Sequence, residues 1–233
     1  MKVRILTWAV VAALFTPLLT ACSDDDDDNE SETNSAVAYD SHAVDLGLPS
    51  GLKWSDQNLG ANAPEGYGNY YAWGETEIKE DYSWDTHKYG DGTVFTKYVP
   101  KGSELGKNGF SDDKTVLDRL DDAASVALGG NWRTPTIEEW QELESNSTWT
   151  WTAVNGINGF RVEGPNGNSI FLPAAGFYRF GILSYANSYG NYWSASLIPS
   201  DADSANEYYL SPGSRSINSR FRYYGRSIRP VRN

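Results

Sequence analysis

The sequence predicts an α+β fold of short, mostly antiparallel strands with two helices, about 118–128 and 136–145, in one domain spanning 39–233. Three observations carry this reading. Aromatic residues make up 14% of the chain and glycine is counted 22 times, a composition of short strands and tight turns rather than long helices. Apolar residues fall at helical spacing in two places. In the second half of the chain they instead alternate with polar ones around turn-forming residues.

The N-terminus reads as a targeting segment. Lys2 and Arg4 precede an apolar run from Ile5 to Leu19, followed by Thr20-Ala21 and Cys22, the order of a secretory signal peptide over 1–21. The run is too short to span a bilayer. Leu19-Thr20-Ala21-Cys22 resembles the lipobox at which lipoprotein precursors are cleaved and acylated, so Cys22 is the expected lipid-attachment residue and membrane contact. It is the single cysteine, so no intramolecular disulfide can form. Asp24 to Asp28 follow, and 22–38 is expected to be an acidic tether, because like charges repel and nothing apolar offsets the ordering entropy. Such an acidic run behind a lipidated cysteine resembles the surface-export signal of Bacteroidota lipoproteins, which implies an exposed position on the outer membrane.

Within the domain, Leu120, Ala123, Ala124 and Ala127 share a helical face, and Gly129-Gly130 supply the stop. Thr136-Ile137-Glu138-Glu139 forms a capping box: the Thr136 hydroxyl accepts from the third amide on, and Glu139 reaches back to the N-cap amide. Ile137, Trp140 and Leu143 then make one apolar stripe. Phe160 and Val162, the turn Gly164-Pro165-Asn166-Gly167, and Ile170 and Leu172 read as a hairpin. Further strands are expected at Tyr189 to Ser196, Glu207 to Leu210 and Ser219 to Val231.

Several segments are recognisable together. Val44-Asp45-Leu46-Gly47-Leu48-Pro49-Ser50-Gly51-Leu52-Lys53-Trp54, Tyr71-Ala72-Trp73-Gly74-Glu75, Gly130-Asn131-Trp132-Arg133-Thr134-Pro135-Thr136, Leu172-Pro173-Ala174-Ala175-Gly176, Tyr192-Trp193-Ser194 and Arg226-Ser227-Ile228-Arg229-Pro230-Val231 resemble the FISUMP (Fibrobacter succinogenes major paralogous) domain family. The resemblance spans Val44 to Val231 and implies a C-type-lectin-like fold, related to that of formylglycine-generating enzymes, in surface-exposed proteins whose ligands are mostly unknown; it does not imply a reaction. The chain departs from the family in lacking the cysteines that relatives often carry where Gln57 and Ser147 stand here.

The residues themselves offer little catalytic chemistry. The oxidase reaction of the related enzymes needs active-site cysteines, and adjacent acids such as Glu138-Glu139 do not face each other across a substrate. His42 and His87 are the only histidines, so zinc is not expected; calcium stays open because oxygen ligands abound, but no EF-hand spacing supports it, and no cofactor is assigned. Glu163-Gly164-Pro165-Asn166 loosely resembles the sugar motif of C-type lectins and is read as a hairpin turn. A net charge of -12 argues against nucleic acid as a partner.

The stretch from Phe177 to Arg226 mixes Tyr, Arg, Ser and Asn, the composition of a binding surface. Tyr178, Arg179, Tyr185, Tyr189, Arg220, Arg222 and Tyr223 are the candidate ligand contacts, with an extracellular glycan or protein as partner. Alternation along strands nevertheless requires about half of such side chains to face a core. Two alternatives stay open. One is a variable protein of a diversity-generating retroelement, because adenine mutagenesis of Asn codons never yields Lys, Gln or Met and none of these follows Glu144. The other is a structural part of a surface assembly. Asp203-Ser204-Ala205 also looks like an O-glycosylation site of exported proteins.

Overall fold

The computed structural model describes residues 39–233; the expected signal peptide, Cys22 and the acidic tether lie outside the described residues. Among the described residues no helix is long and apolar enough to cross a membrane. The architecture is α+β, with mostly short antiparallel strands in small open sheets and two α-helices.

Among the described residues, the first and last strands meet in one sheet. Strand β2 (Lys53–Ser55) lies between β1 (Ala43–Asp45) and β11 (Val231–Arg232), with Trp54 opposite both Val44 and Val231. A second sheet joins β3 (Thr148–Val154), β4 (Ile157–Glu163) and β5 (Ser169–Pro173). Its β4–β5 hairpin pairs Phe160 with Leu172 and Val162 with Ile170, as the alternation predicts. Strand β3 escaped the sequence reading, although Thr148-Trp149-Thr150-Trp151 alternates with period two. After the short pair β6 (Phe177–Arg179) and β7 (Ile182–Ser184) comes the sheet of β8 (Gly190–Ile198), β9 (Asp201–Ser211) and β10 (Ser214–Phe221), in the order β10-β9-β8.

The helices are α1 (Ala123–Leu128) and α2 (Ile137–Asn146). The second follows the expected boundaries, and its capping box is complete: Glu139 N donates to Thr136 Oγ1 at 3.4 Å and Thr136 N to Glu139 Oε2 at 2.8 Å. The first is shorter than 118–128. Asp121 is buried and takes hydrogen bonds from Tyr89 and Tyr98 and the Lys97 ammonium, so residues 119–121 turn as a 3-10 helix. Asp122 is extended, and its carboxylate caps α1 by accepting from Ala124 N and Ser125 N. Leu120, assigned to the buried stripe by its spacing, is 82% exposed for this reason.

Helix α2 lays Trp140 and Leu143 on β8 and β9. The Trp140 ring stacks on Tyr208 at 4.8 Å and meets Trp54 edge-on at 4.7 Å, closing a core that includes Leu172, Leu210 and Val231. A neighbouring cluster gathers Trp73, Trp193, Tyr98, Ala123 and Ile228. Trp132, Trp140 and Trp193 are all buried, Trp140 as its place in the apolar stripe predicts.

The expected strand from Ser219 to Val231 needs correction. β10 ends at Phe221, and most of the following residues run through the interior as irregular backbone. Their carbonyls serve loops and the end of β2 instead of a continuous ladder: Trp73 N donates to Arg222 O, Tyr71 N to Arg226 O, Leu59 N to Ile228 O and Ser55 N to Pro230 O, all at 2.8–2.9 Å. The glycosylation reading is also corrected, because Ser204 lies within β9 at 3% exposure, where no glycosyl donor can reach its hydroxyl.

Candidate functional site

Tyr208 is committed to the Trp140 core, so its neighbours Glu207 and Tyr209 must project from the other face of β9. On that face β8 contributes Asn191 and β10 contributes Arg220, which shares its side of the sheet with Ala205 and Glu207. β6 supplies Phe177, and the β7–β8 loop supplies Tyr185 and Tyr189. Tyr224 and Arg226 come from the interior segment, held beside β6 because Tyr178 N and Gly225 N exchange hydrogen bonds with each other's carbonyls at 2.8 and 3.0 Å. Gly225 is required at this crossing: a Cβ there would lie 2.8 Å from the Tyr82 ring and 2.9 Å from Tyr178 Cβ. Together these residues enclose a cavity of about 250 Å³ with aromatic walls.

The floor is charged. Arg226 Nη1 lies 2.6 Å from Glu207 Oε2, and each side chain is 1% exposed. Arg220, 45% exposed, places Nε 3.2 Å from Glu207 Oε1. These are contacts of charge rather than aligned hydrogen bonds: both Glu207 oxygens and Arg226 Nε and Nη1 are buried without an aligned hydrogen-bonding partner. The Arg226 guanidinium sits against the faces of Phe177, Trp193 and Tyr224 at 5.1–5.3 Å. Burial lowers its affinity for a proton below the ordinary arginine value, and the Glu207 charge opposes that shift.

The sequence-predicted contacts divide. Tyr185 (56% exposed), Tyr189 and Arg220 line the cavity. Arg179 is exposed beside it, with its guanidinium 5.5 Å from the Tyr224 ring. Tyr178 lies away from the cavity, half-buried against Tyr70 and Tyr82. Arg222 and Tyr223 do not belong to the surface. Arg222 is fully buried, with its guanidinium 4.1 Å over Phe95 and Nη1 donating to the carbonyls of Lys97 and Tyr98. Burial drives its pKa down to about 9, against the pull of the Asp203 and Asp112 carboxylates. Tyr223, 3% exposed, is packed among Trp84, Phe180, Phe221 and Tyr224.

Sequence reasoning missed Glu207 and Arg226. The signal for Glu207 was parity: once Tyr208 is placed in the core, the acid beside it faces outward from the sheet. Arg226 carried no such signal, since its irregular segment has no period.

Elsewhere the polar interior is structural. Arg229 donates from Nε to Asn58 Oδ1, from Nη1 to Ser55 O and from Nη2 to Phe171 O at 2.7–3.1 Å, fastening the interior segment to β2 and β5. Residues 164–167 form the β4–β5 turn, with Asn166 Nδ2 donating to Asp45 O. Among the described residues no group of three or more His, Cys, Asp or Glu is placed to hold a metal ion. No family model, no curated protein and no solved structure matches this chain.

Proposed function

We propose that this chain is a surface-anchored lipoprotein whose C-type-lectin-like domain binds a ligand without transforming it, and that the ligand enters the cavity above Glu207 and Arg226. The observation that carries the reading is a buried ionic floor, with acceptors and donors lacking aligned partners, beneath walls of tyrosine. Buried groups of this kind cost about 1–3 kcal/mol each when left unpaired. A hydroxyl-rich ligand offsets that cost, because each hydroxyl can donate to Glu207 and accept from a guanidinium. Flat apolar ring faces can stack on the tyrosines.

Cations suit the cavity poorly, since Arg220 and Arg226 outnumber Glu207 among its lining residues. Catalysis by paired carboxylates is also disfavoured: Glu207 is the single acid in the lining, and it already faces two guanidiniums. An extracellular glycan, free or displayed on a protein, is therefore the proposed partner. A glycan array probed with the full chain tests this. Selective binding that weakens in Tyr185→Ala and Arg220→Ala is expected; equal binding by wild type and both variants would overturn the site.

Anchoring is tested separately. Cys22→Ser should abolish incorporation of labelled palmitate and release the chain from membranes, and an unchanged membrane fraction refutes the anchor.

One observation favours retroelement diversification of the same site. Phe177, Tyr185, Tyr189, Asn191, Tyr209, Arg220 and Tyr224, which line the cavity, are all of types that adenine mutagenesis of Asn codons can produce. A near-identical template repeat beside the coding sequence is the expected finding, and its absence removes this reading.

A further inference from the structure

We infer a second ligand site, on the other side of the β8–β9–β10 sheet, that takes an uncharged carbohydrate. It begins with β3. Thr148 and Thr150 are exposed, which sends Trp149 and Trp151 to the opposite, half-buried face. There they meet Phe160 edge-on, at 5.6 and 5.0 Å between ring centroids. Glu144, near the end of α2, and Arg215, at the start of β10, complete a groove of about 460 Å³ roofed by the β9–β10 turn. This volume falls within the usual range for small-molecule sites. Arg215 pairs with Leu210 across the ladder and Arg220 with Ala205, so the two arginines lie on opposite faces of the sheet. The groove and the Glu207 cavity share no lining residue.

Three features define the occupant. The first is a pair of lining polar atoms without aligned partners, Trp149 Nε1 and Arg215 Nε. Native interiors rarely leave such groups unpaired, so their gathering around one groove points to an occupant that supplies partners. The second is charge balance. Arg215 Nε and Glu144 Oε1 stand 3.5 Å apart as one cation and one anion, so the groove has no net charge with which to select an ion. The third is the aromatic wall of Trp149, Trp151 and Phe160, suited to the apolar face of a sugar ring while its hydroxyls bridge Glu144 and Arg215.

An extended peptide fits less well. A peptide strand would add to the open edge of β3 and bond its backbone, whereas the unpaired groups here lie on the side-chain face of that strand.

The test uses the purified full chain titrated with cellohexaose, mannohexaose and xylohexaose, read by calorimetry and by quenching of tryptophan fluorescence. Saturable binding of at least one of them is expected. It should weaken about tenfold or more in Trp151→Ala and in Arg215→Gln, the loss typical of a central aromatic or arginine contact. Trp151 and Arg215 do not line the Glu207 cavity, so loss in these variants places the binding in the groove, and Thr148→Ala, on the opposite face of β3, should leave it unchanged. Arg215→Gln lies at the surface, so it keeps the test valid if Trp151→Ala does not fold; thermal unfolding monitors both. The inference is overturned if none of the three neutral sugars saturates, if both variants bind as wild type, or if a strand-forming peptide binds the groove in their place.

Discussion

The guanidinium of Arg226 faces the carboxylate of Glu207 at 2.6 Å, with 1% of each side chain exposed, on the floor of an aromatic cavity. A pair so fully withdrawn from water owes its stability to each partner cancelling the other's desolvation. Glu207→Ala should therefore cost about 3–5 kcal/mol in urea unfolding, because it strands the Arg226 charge. Replacing both, Glu207→Leu with Arg226→Met, should recover most of that loss while removing ligand binding. A double variant as unstable as the single one would show that the pair is not coupled.

At the rim of the same cavity the balance is reversed. Tyr185 and Arg220 are exposed enough that Tyr185→Ala and Arg220→Ala should each change stability by no more than about 0.5 kcal/mol. Loss of binding in these variants, with unfolding midpoints unmoved, assigns the two side chains to recognition rather than to folding.

His87 makes stability depend on acidity. It is buried, its Nδ1 accepts from Tyr89 N, and its Nε2 faces the carbonyl of Trp73 at 3.3 Å, so it is held neutral. Burial, aided by the Arg222 charge, drives its pKa from the ordinary 6.5 down to about 3. Between these values the unfolded chain binds a proton that the native chain does not. Stability is then fully present above about pH 6.5 and falls as pH drops towards 3. Unfolding free energy measured across this window should decline in the wild type and decline less in His87→Gln. Equal slopes would exclude His87 as the cause.

The capping box predicts a local effect. Thr136→Ala removes the acceptor of Glu139 N and should destabilise by about 0.5–2 kcal/mol in chemical denaturation. Thr136→Ser retains the hydroxyl and should restore most of it.

Arg229 distributes three donors among Asn58, Ser55 and Phe171, and a lysine cannot reproduce that planar fork. Arg229→Lys should cost at least about 1–3 kcal/mol, the penalty for buried acceptors left unpaired. A thermal midpoint equal to wild type would show that lysine suffices.

What the sequence determined by itself is whatever depends on neighbours along the chain. The α2 capping box, the Trp140 and Leu143 stripe and the β4–β5 register follow from spacing, because caps, helical faces and hairpin turns are set by residues within a few positions of one another. Contacts distant in sequence were decided by tertiary structure. Arg220 and Arg222 look alike in the sequence, yet one is exposed and the other wholly buried, because β10 ends between them and the chain turns inward to bond Trp73. Asp121 likewise shortened α1 through Tyr89, Lys97 and Tyr98, which precede it by more than twenty residues. The two cavities belong to this second kind. Glu207 meets Arg226 and Glu144 meets Arg215 only after separate sheets and a helix have packed, and burial, which no local pattern encodes, then fixes the charges each cavity presents.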